Sequence, residues 1–549
     1  MGHPDKNARS LIKCARISQR RPAENAQLPT RGYTPASEGS YERALTAIGG
    51  DRSLAPPRIT FQDERMLRRL SLAVAVAATT GFAWAAQPAP AAPSLPSKTD
   101  LINVYKDAVD NNADLAAAQA DYLARKEAVP QARSGLLPQI NAGADIGNSR
   151  TSLDTPNVTL NRSSQVIQAT LSQPLFRADR WFQLKAAENT TEQAQLEFSA
   201  TQQQLILQTA QTYFGVLRAQ DNLAASKAEE AAFKRQLDQS NERFDVGLSD
   251  KTDVLESQAS YDTARANRLV AEQQVDDAFQ ALVTLTNREY SSIEGILHSL
   301  PVVPPMPNDA KAWVDTSVQQ NLRLQASNYA VDAAEETLRQ RKAGHLPTVD
   351  AVAQYQKGDN DALGFTNSGA PGDTHYGKWV DQSSIGLQLN VPIYSGGLTS
   401  SQVRESYQRL NQSEQLRESQ RRQVVQDARN QHRAVNTDVE TVKARRQAII
   451  SNQSSLEATE IGYQVGTRNI VDVLDAQRSL YNSVRDYNNS RYDYILDNLS
   501  LKQTAGTLAP SDLEALGAYL KPDYNPDKDF LPPDLAKAAE AQLKSKPQY

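Results

Sequence analysis

The chain has 549 residues, 39% of them hydrophobic and only 6% aromatic, with a formal charge of -5 and a mean hydropathy of -0.57. That balance is too polar for a bundle of transmembrane helices, and charges of both signs offer no basic face to nucleic acid. A single cysteine, Cys14, excludes a disulfide within the chain, and the five histidines, His3, His298, His345, His375 and His432, show no metal-ligand spacing.

Residues 1–65 carry Arg and Pro without sustained periodicity and read as a non-homologous N-terminal extension or a mis-called start. From Met66 the order Met-Leu-Arg-Arg-Leu, an apolar run from Ser71 to Phe82 and Ala83-Trp84-Ala85 before Ala86 is that of a secretory signal peptide over 66–85. The run is shorter than the roughly 20 residues of a membrane helix. On this reading the mature protein starts near Ala86; the bland alternative is a cytoplasmic extension in which the run is a buried helix.

The remainder repeats itself once. Asn112, Leu115, Gly135, Leu137 and Pro138 recur in the same spacing as Asn321, Leu324, Gly344, Leu346 and Pro347. Leu171, Pro174 and Phe176 answer Leu389, Pro392 and Tyr394, and Val246-Gly247 answers Val465-Gly466. So many ordered matches define two structural repeats, 86–300 and 309–518, joined by a proline-bearing linker at 301–308 and followed by a flexible tail at 519–549.

Each repeat contains two runs of period two, the mark of a strand. In the first they are Ile140, Ala142, Ala144, Ile146 and Ile167, Ala169, Leu171; in the second, Val349, Ala351, Ala353, Tyr355 and Ile385, Leu387, Leu389, Val391. Polar stretches at 147–163 and 357–382 read as the surface loops between them. Such alternation fits a half-buried sheet in a soluble protein, which periodicity alone favours, or a membrane barrel with its apolar residues toward lipid. Four strands cannot close a barrel, so a membrane reading requires pooling between chains: three copies supply twelve strands, two supply eight.

Long helices flank the strands, with no proline from Leu175 to Leu300 or from Ile393 to Ala509. Ile206, Ala210, Tyr213 and Leu217, and then Val425, Ala428, His432, Val435, Val439 and Val442, step by three and four residues along a coiled-coil seam. His432 reads as a packed seam residue. A helix from Arg177 to Phe244 is roughly 100 Å long at about 1.5 Å per residue.

Longer segments carry a family resemblance. Leu136-Leu137-Pro138-Gln139, Arg243-Phe244-Asp245-Val246-Gly247, Gly344-His345-Leu346-Pro347-Thr348, Val391-Pro392-Ile393-Tyr394-Ser395-Gly396-Gly397 and Gly462-Tyr463-Gln464-Val465-Gly466-Thr467-Arg468, running into Ile470-Val471-Asp472-Val473-Leu474-Asp475-Ala476, resemble the TolC-like outer-membrane factors of tripartite efflux and type I secretion. The resemblance spans Asp100 to Leu516 and reverses the preference for a soluble sheet. It implies a mainly α chain with a small membrane β part, assembled as a homotrimer with a shared 12-stranded β-barrel in outer-membrane lipid and a long periplasmic coiled-coil tunnel. The implied partners are a periplasmic membrane-fusion adaptor and an inner-membrane efflux or ABC transporter. No cofactor and no structural metal are implied.

The resemblance also places a gate at the periplasmic end. Tyr463 would hydrogen-bond Asp253, and Arg468 would reach Thr252 in its own chain and Asp253 of a neighbour, with Gln236 as a further partner. Asp472 and Asp475 would form two rings of carboxylates at the constriction, where multivalent cations could block. The residues alone allow a plainer account of both acids: they follow the Gly466 turn near Thr467 and Asn469, where carboxylates cap a helix and favour its N-terminal dipole.

Two other readings compete. A periplasmic coiled-coil adaptor or structural tether explains the seams and the signal peptide but leaves four alternating strands without a role. An envelope enzyme lacks an acid, base and nucleophile cluster, a phosphate-binding glycine loop or a Gly-x-Ser-x-Gly elbow.

Overall fold

The computed structural model describes residues 98–154, 157–359 and 379–534. The expected extension and signal peptide, with Cys14, lie outside the described residues. In chain order the first repeat runs α1 (Leu101–Asn111), α2 (Ala113–Lys126), α3 (Ala128–Ser134), β1 (Gln139–Asp154), β2 (Asn157–Phe176), α4 (Ala178–Asp245), α5 (Lys251–Thr286) and β3 (Gly295–Ile296). The second runs α6 (Ala310–Gln320), α7 (Leu322–Ala343), β4 (Thr348–Asp359), β5 (Trp379–Asn390), α8 (Leu398–Gln464), α9 (Ile470–Thr504) and α10 (Pro510–Gly517), and β6 (Leu520–Lys521) and α11 (Pro526–Asp529) follow it.

The long helices match in pairs. α4 and α5 have 68 and 36 residues; α8 and α9 have 67 and 35. Proline-free, Ala- and Gln-rich sequence lets α4 and α8 continue unbroken for roughly 100 Å. Their stability comes from the seams. Ile206, Ala210, Tyr213 and Leu217 are buried on α4, and Val424, Ala428, His432, Val435, Val439 and Val442 on α8. Val424 replaces the expected Val425, because the seam takes a four-residue step before Ala428. His432 is packed, its carbonyl accepting from Asn436 Nδ2 at 2.9 Å.

The same two asparagines that mark the repeats explain why the repeats fold alike. Asn112 Oδ1 accepts from the Leu115 N–H at 2.8 Å and caps α2, while its Nδ2 donates to the Leu285 carbonyl at 3.2 Å. Asn321 Oδ1 accepts from the Leu324 N–H at 3.0 Å and caps α7, while its Nδ2 donates to the Thr504 carbonyl at 2.9 Å. Leu285 and Thr504 lie at the ends of α5 and α9. One side chain therefore starts the repeat's entry helix and ties it to the end of its exit helix.

The main core lies between α1, α4, α5, α8 and α9, around Tyr213, Phe214, Leu217, Leu282, Tyr492 and Leu501. Each large side chain buried there contributes about 2 kcal/mol. Residues 519–534 are part of it, correcting the expectation of a flexible tail from 519. Leu520, Tyr524 and Phe530 are buried, β6 pairs with β3, and Asn488 Nδ2 donates to the Phe530 carbonyl at 2.8 Å. Tyr492 and Tyr524 both donate to the carboxylate of Asp221, whose burial raises its pKa to about 6. Apolar residues at irregular spacing between prolines carry no periodic signal, yet they fill a core already built. Residues 535–549 lie outside the described residues.

The strands form one antiparallel sheet in the order β1-β2-β4-β5. Its register puts the expected strand residues on one face, save Val391, which lies beyond the end of β5: Ile140 opposes Leu171 and Ala142 opposes Ala169, Leu171 opposes Ala353, and Ala353, Ala351 and Val349 oppose Ile385, Leu387 and Leu389. The first stretch expected to be a loop is mostly strand, and the described ends of the second are strand too. β1 runs to Asp154 and β2 resumes at Asn157, pairing throughout; β4 reaches Asp359 and β5 begins at Trp379, with 360–378 outside the described residues. Polar side chains on both faces erase alternation without interrupting backbone pairing.

The repeats turn from sheet to helix differently. In the second, Gly396 and Gly397 take left-handed φ of 63° and 83°, open to glycine at little cost. In the first, Arg177 makes the corner and bridges Asp179 and Asp350 at 3.2 and 3.3 Å.

Replacing Asn321 with Ala should remove both of its bonds and lower stability by about 1–3 kcal/mol, read as a fall in the thermal midpoint of the helical circular dichroism. Asn321→Ser, which keeps a capping oxygen, should fall between. A midpoint unmoved by either substitution would remove the tether from this account.

Candidate functional site

The expected site residues gather where α4 turns into α5 and α8 turns into α9. Both turns are built alike. The Leu248 N–H donates to the Arg243 carbonyl at 2.7 Å and the Gly247 N–H to that of Phe244 at 2.9 Å; the Thr467 N–H donates to the Gly462 carbonyl at 2.8 Å and the Gly466 N–H to that of Tyr463 at 3.2 Å. This double closure is the Schellman cap, which needs a left-handed residue. Gly247 at φ 76° and Gly466 at φ 78° supply it.

A small apolar cluster joins the two hairpins near these turns. It comprises Phe233 from α4, Ala264 from α5, Tyr463 from α8, and Ile470, Val473 and Leu474 from α9. It is separate from the main core. Glu229 of α4, itself buried, also receives Arg485 of α9 at 2.7 Å.

Tyr463 is buried in this cluster. Among the described residues its hydroxyl has no hydrogen-bond partner, and neither does the buried Nε2 of Gln236. Burial pushes the Tyr463 hydroxyl above its ordinary pKa; Arg243 opposes that shift and Asp253 adds to it. Asp253 thus lies in electrostatic reach of Tyr463, but the expected hydrogen bond between them is not made within one chain. The guanidinium of Arg243 instead covers the Tyr463 ring, 4.7 Å from its centroid.

Arg468 is exposed and pairs with Asp472 of its own helix start at 3.8 Å, so within the chain it does not take the expected contact with Thr252, which is also exposed. Gly462 sits beneath it: a Cβ there would lie 2.7 Å from Arg468 Cγ. Asp472 completes a capping box, its N–H donating to Asn469 Oδ1 at 2.8 Å and its carboxylate accepting from the Asn469 N–H at 3.4 Å. The plainer account of Asp472 therefore holds in the structure, whatever else the residue does. Asp475 has no cap to serve. It is exposed and paired with Arg478 at 2.7 Å.

Two residues escaped the reading of the sequence. Arg478 stands three residues after Asp475, a spacing that alone could have flagged it. Arg243 could not be found that way, since its contact with Tyr463 joins helices distant in sequence. Among the described residues no group of three or more His, Cys, Asp or Glu side chains could hold a metal ion.

A family model described as outer membrane efflux protein matches residues 104–288 and 313–507, one segment in each repeat. The outer membrane protein TolC of Escherichia coli (strain K12) is 38% identical over 438 residues, covering 79% of this chain and 88% of TolC. The proteases secretion protein PrtF of Dickeya chrysanthemi is 26% identical over 430 residues, 77% of this chain and 91% of PrtF. The solved structure of the outer membrane protein VceC of Vibrio cholerae shares the fold, with a TM-score of 0.64 at 18% identity over 74% of this chain and 96% of that one.

The turns themselves are testable. Gly466→Ala forces an L side chain into left-handed backbone at a cost of about 1–2 kcal/mol, so the Thr467 amide should exchange with solvent roughly tenfold faster. Gly517→Ala, at a position with open space and no left-handed φ, should leave that amide unchanged. Equal effects from both would show that the turn does not limit local opening.

Proposed function

Since the chain belongs to the outer membrane efflux protein family, we propose that three copies close one barrel of twelve strands, and that the long helices continue it as a gated periplasmic tunnel. The protein is an outer-membrane channel for efflux and secretion. The observation that carries the assembly is the sheet: one face is largely apolar, interrupted by polar side chains such as Lys357 and Asp381, and among the described residues neither β1 nor β5 has a partner on its outer edge. Ile146 is 85% exposed and Ile385 88%, an arrangement that water penalises and lipid rewards. From Ile140 to Ile146 the band rises roughly 20 Å at about 3.4 Å per residue, close to the apolar girdle of a membrane barrel at about 25 Å. The opposite face carries Gln168, Thr170, Gln354, Gln382, Ser384 and Gln388, suited to a water-filled lumen.

In hydrocarbon an unpaired strand edge leaves a row of backbone groups unsatisfied, each costing several kcal/mol. Pairing β1 of one copy with β5 of the next removes both edges at once. Three copies accord with the TolC likeness. An adaptor or tether made of these helices would leave that sheet with neither lipid to face nor edges to pair.

At the other end the proposal gives Tyr463, Arg468, Asp253, Thr252 and Gln236 the role of a latch and Asp472 and Asp475 that of the constriction. The buried, unpartnered atoms of Tyr463 and Gln236 support an interface there, since buried polar groups are rarely left unpaired. The duct is passive: an inner-membrane efflux or ABC transporter supplies energy and a periplasmic membrane-fusion adaptor docks at the tip. Val246, Leu248 and Val465, exposed at the turns, offer that adaptor apolar contacts.

In planar lipid bilayers the full-length protein should form cation-preferring channels blocked by multivalent cations, and Asp472→Ala with Asp475→Ala should lose both properties. Asp475→Ala alone, which spares the capping box, should lose part of each; unchanged selectivity in both variants would misplace the rings. Tyr463→Phe with Arg468→Ser should raise the conductance by loosening the latch, and a conductance at the parental level would reject the gate assignment. Failure of the parent protein to conduct at all would reject the duct.

A further inference from the structure

Arg243 lies at the tip but outside the set of residues assigned to the latch. It occupies the last turn of α4, and its carbonyl receives the 2.7 Å bond that closes the first turn. Its backbone is thus fixed to the first hairpin. Its guanidinium crosses to the second hairpin and lies 4.7 Å from the centroid of the Tyr463 ring, inside the roughly 6 Å limit for attraction between a cation and an aromatic face. The side chain is half-buried, and its Nε is buried with no hydrogen-bond partner among the described residues. The ring face is therefore what offsets the burial of this charge, and a partly desolvated cation gains more from a ring than a solvated one does.

We infer that Arg243 is a positioning residue of the gate: it clamps the Tyr463 ring and so couples the α4–α5 hairpin to the α8–α9 hairpin. The inference rests on the gating reading above. Moving the end of α8 away from α4 must part ring from cation, so the contact is present when the tips are packed and lost when they separate. It also holds the phenol in place within reach of the Asp253 charge. A lysine would serve less well, because its compact ammonium is strongly hydrated and lacks the flat face that stacks on a ring.

The test is a double-mutant cycle read by conductance in planar bilayers on the full chain. Arg243→Gln should raise the open fraction roughly three- to tenfold, and Arg243→Lys should raise it less. The same Arg243→Gln increment should persist on Tyr463→Phe, which keeps the ring, and vanish on Tyr463→Leu, which removes it. It should also persist on Arg468→Ser, which loosens the gate without touching the ring and so excludes saturation. Equal increments on the Phe and Leu backgrounds would overturn the clamp, since a residue acting only by packing or net charge ignores the ring. No increment in the otherwise unaltered protein would overturn it too, provided that Tyr463→Phe with Arg468→Ser opens the channel. If that pair also leaves conductance unchanged, the gating reading fails and the clamp fails with it.

Discussion

Two open strand edges govern this molecule. β1 and β5 bound a four-stranded sheet, and each presents an outer edge that no other strand among the described residues pairs with. In water such edges can be tolerated if short or charged. Here they border a face whose exposed side chains include Ile140, Ile146, Ile385, Leu387 and Leu389, and such a face calls for lipid, where unpaired backbone is not tolerated. The two requirements have a common answer in a ring of copies. Once a ring closes, the helices that leave each sheet must leave it side by side, and a tubular continuation follows from connectivity.

Duplication makes that continuation regular. Helix pairs of 68 and 36 residues against 67 and 35 let both halves of a chain extend equally far from the sheet, so the two turns arrive at one level. Asn112 and Asn321 fix the entry of each repeat to its exit. The repeats diverge where they need not agree. Left-handed glycines make one corner beneath the sheet and the Arg177 bridge makes the other, and both deliver a strand into a long helix.

Much of this was legible because it is periodic. Alternation placed all four strands on the correct face, and the three-and-four step located both seams to within one residue. The paired motifs located both turns. What escaped lacks a period. Polar strand ends such as Thr159 and Asp359 continue the backbone pairing without alternation in the sequence, and the segment from 519 to 534 buries Leu520, Tyr524 and Phe530 at spacings that fit neither helix nor strand. The residues proposed for the gate were a third case. Their identities came through the family resemblance, but which of them meet depends on how two hairpins pack, and that left Arg243 out and put Arg468 on Asp472.

The distribution of packing bears on why motion would begin at the turns. In the middle of the molecule aromatic and aliphatic side chains from five helices interlock with the C-terminal segment, and buried tyrosines there have partners, as Tyr492 and Tyr524 have in Asp221. Near the turns the apolar cluster is small, and Tyr463, Gln236 and Arg243 each keep a buried polar atom without a partner among the described residues, as Asn222, Asn488 and Asn489 also do nearer the core. Few apolar contacts are what make a region open at low free energy. A neighbour that satisfies those groups would hold the tips closed, and withdrawing from it would cost far less than disturbing the core. The helices can thus remain rigid rods of roughly 100 Å while their ends move.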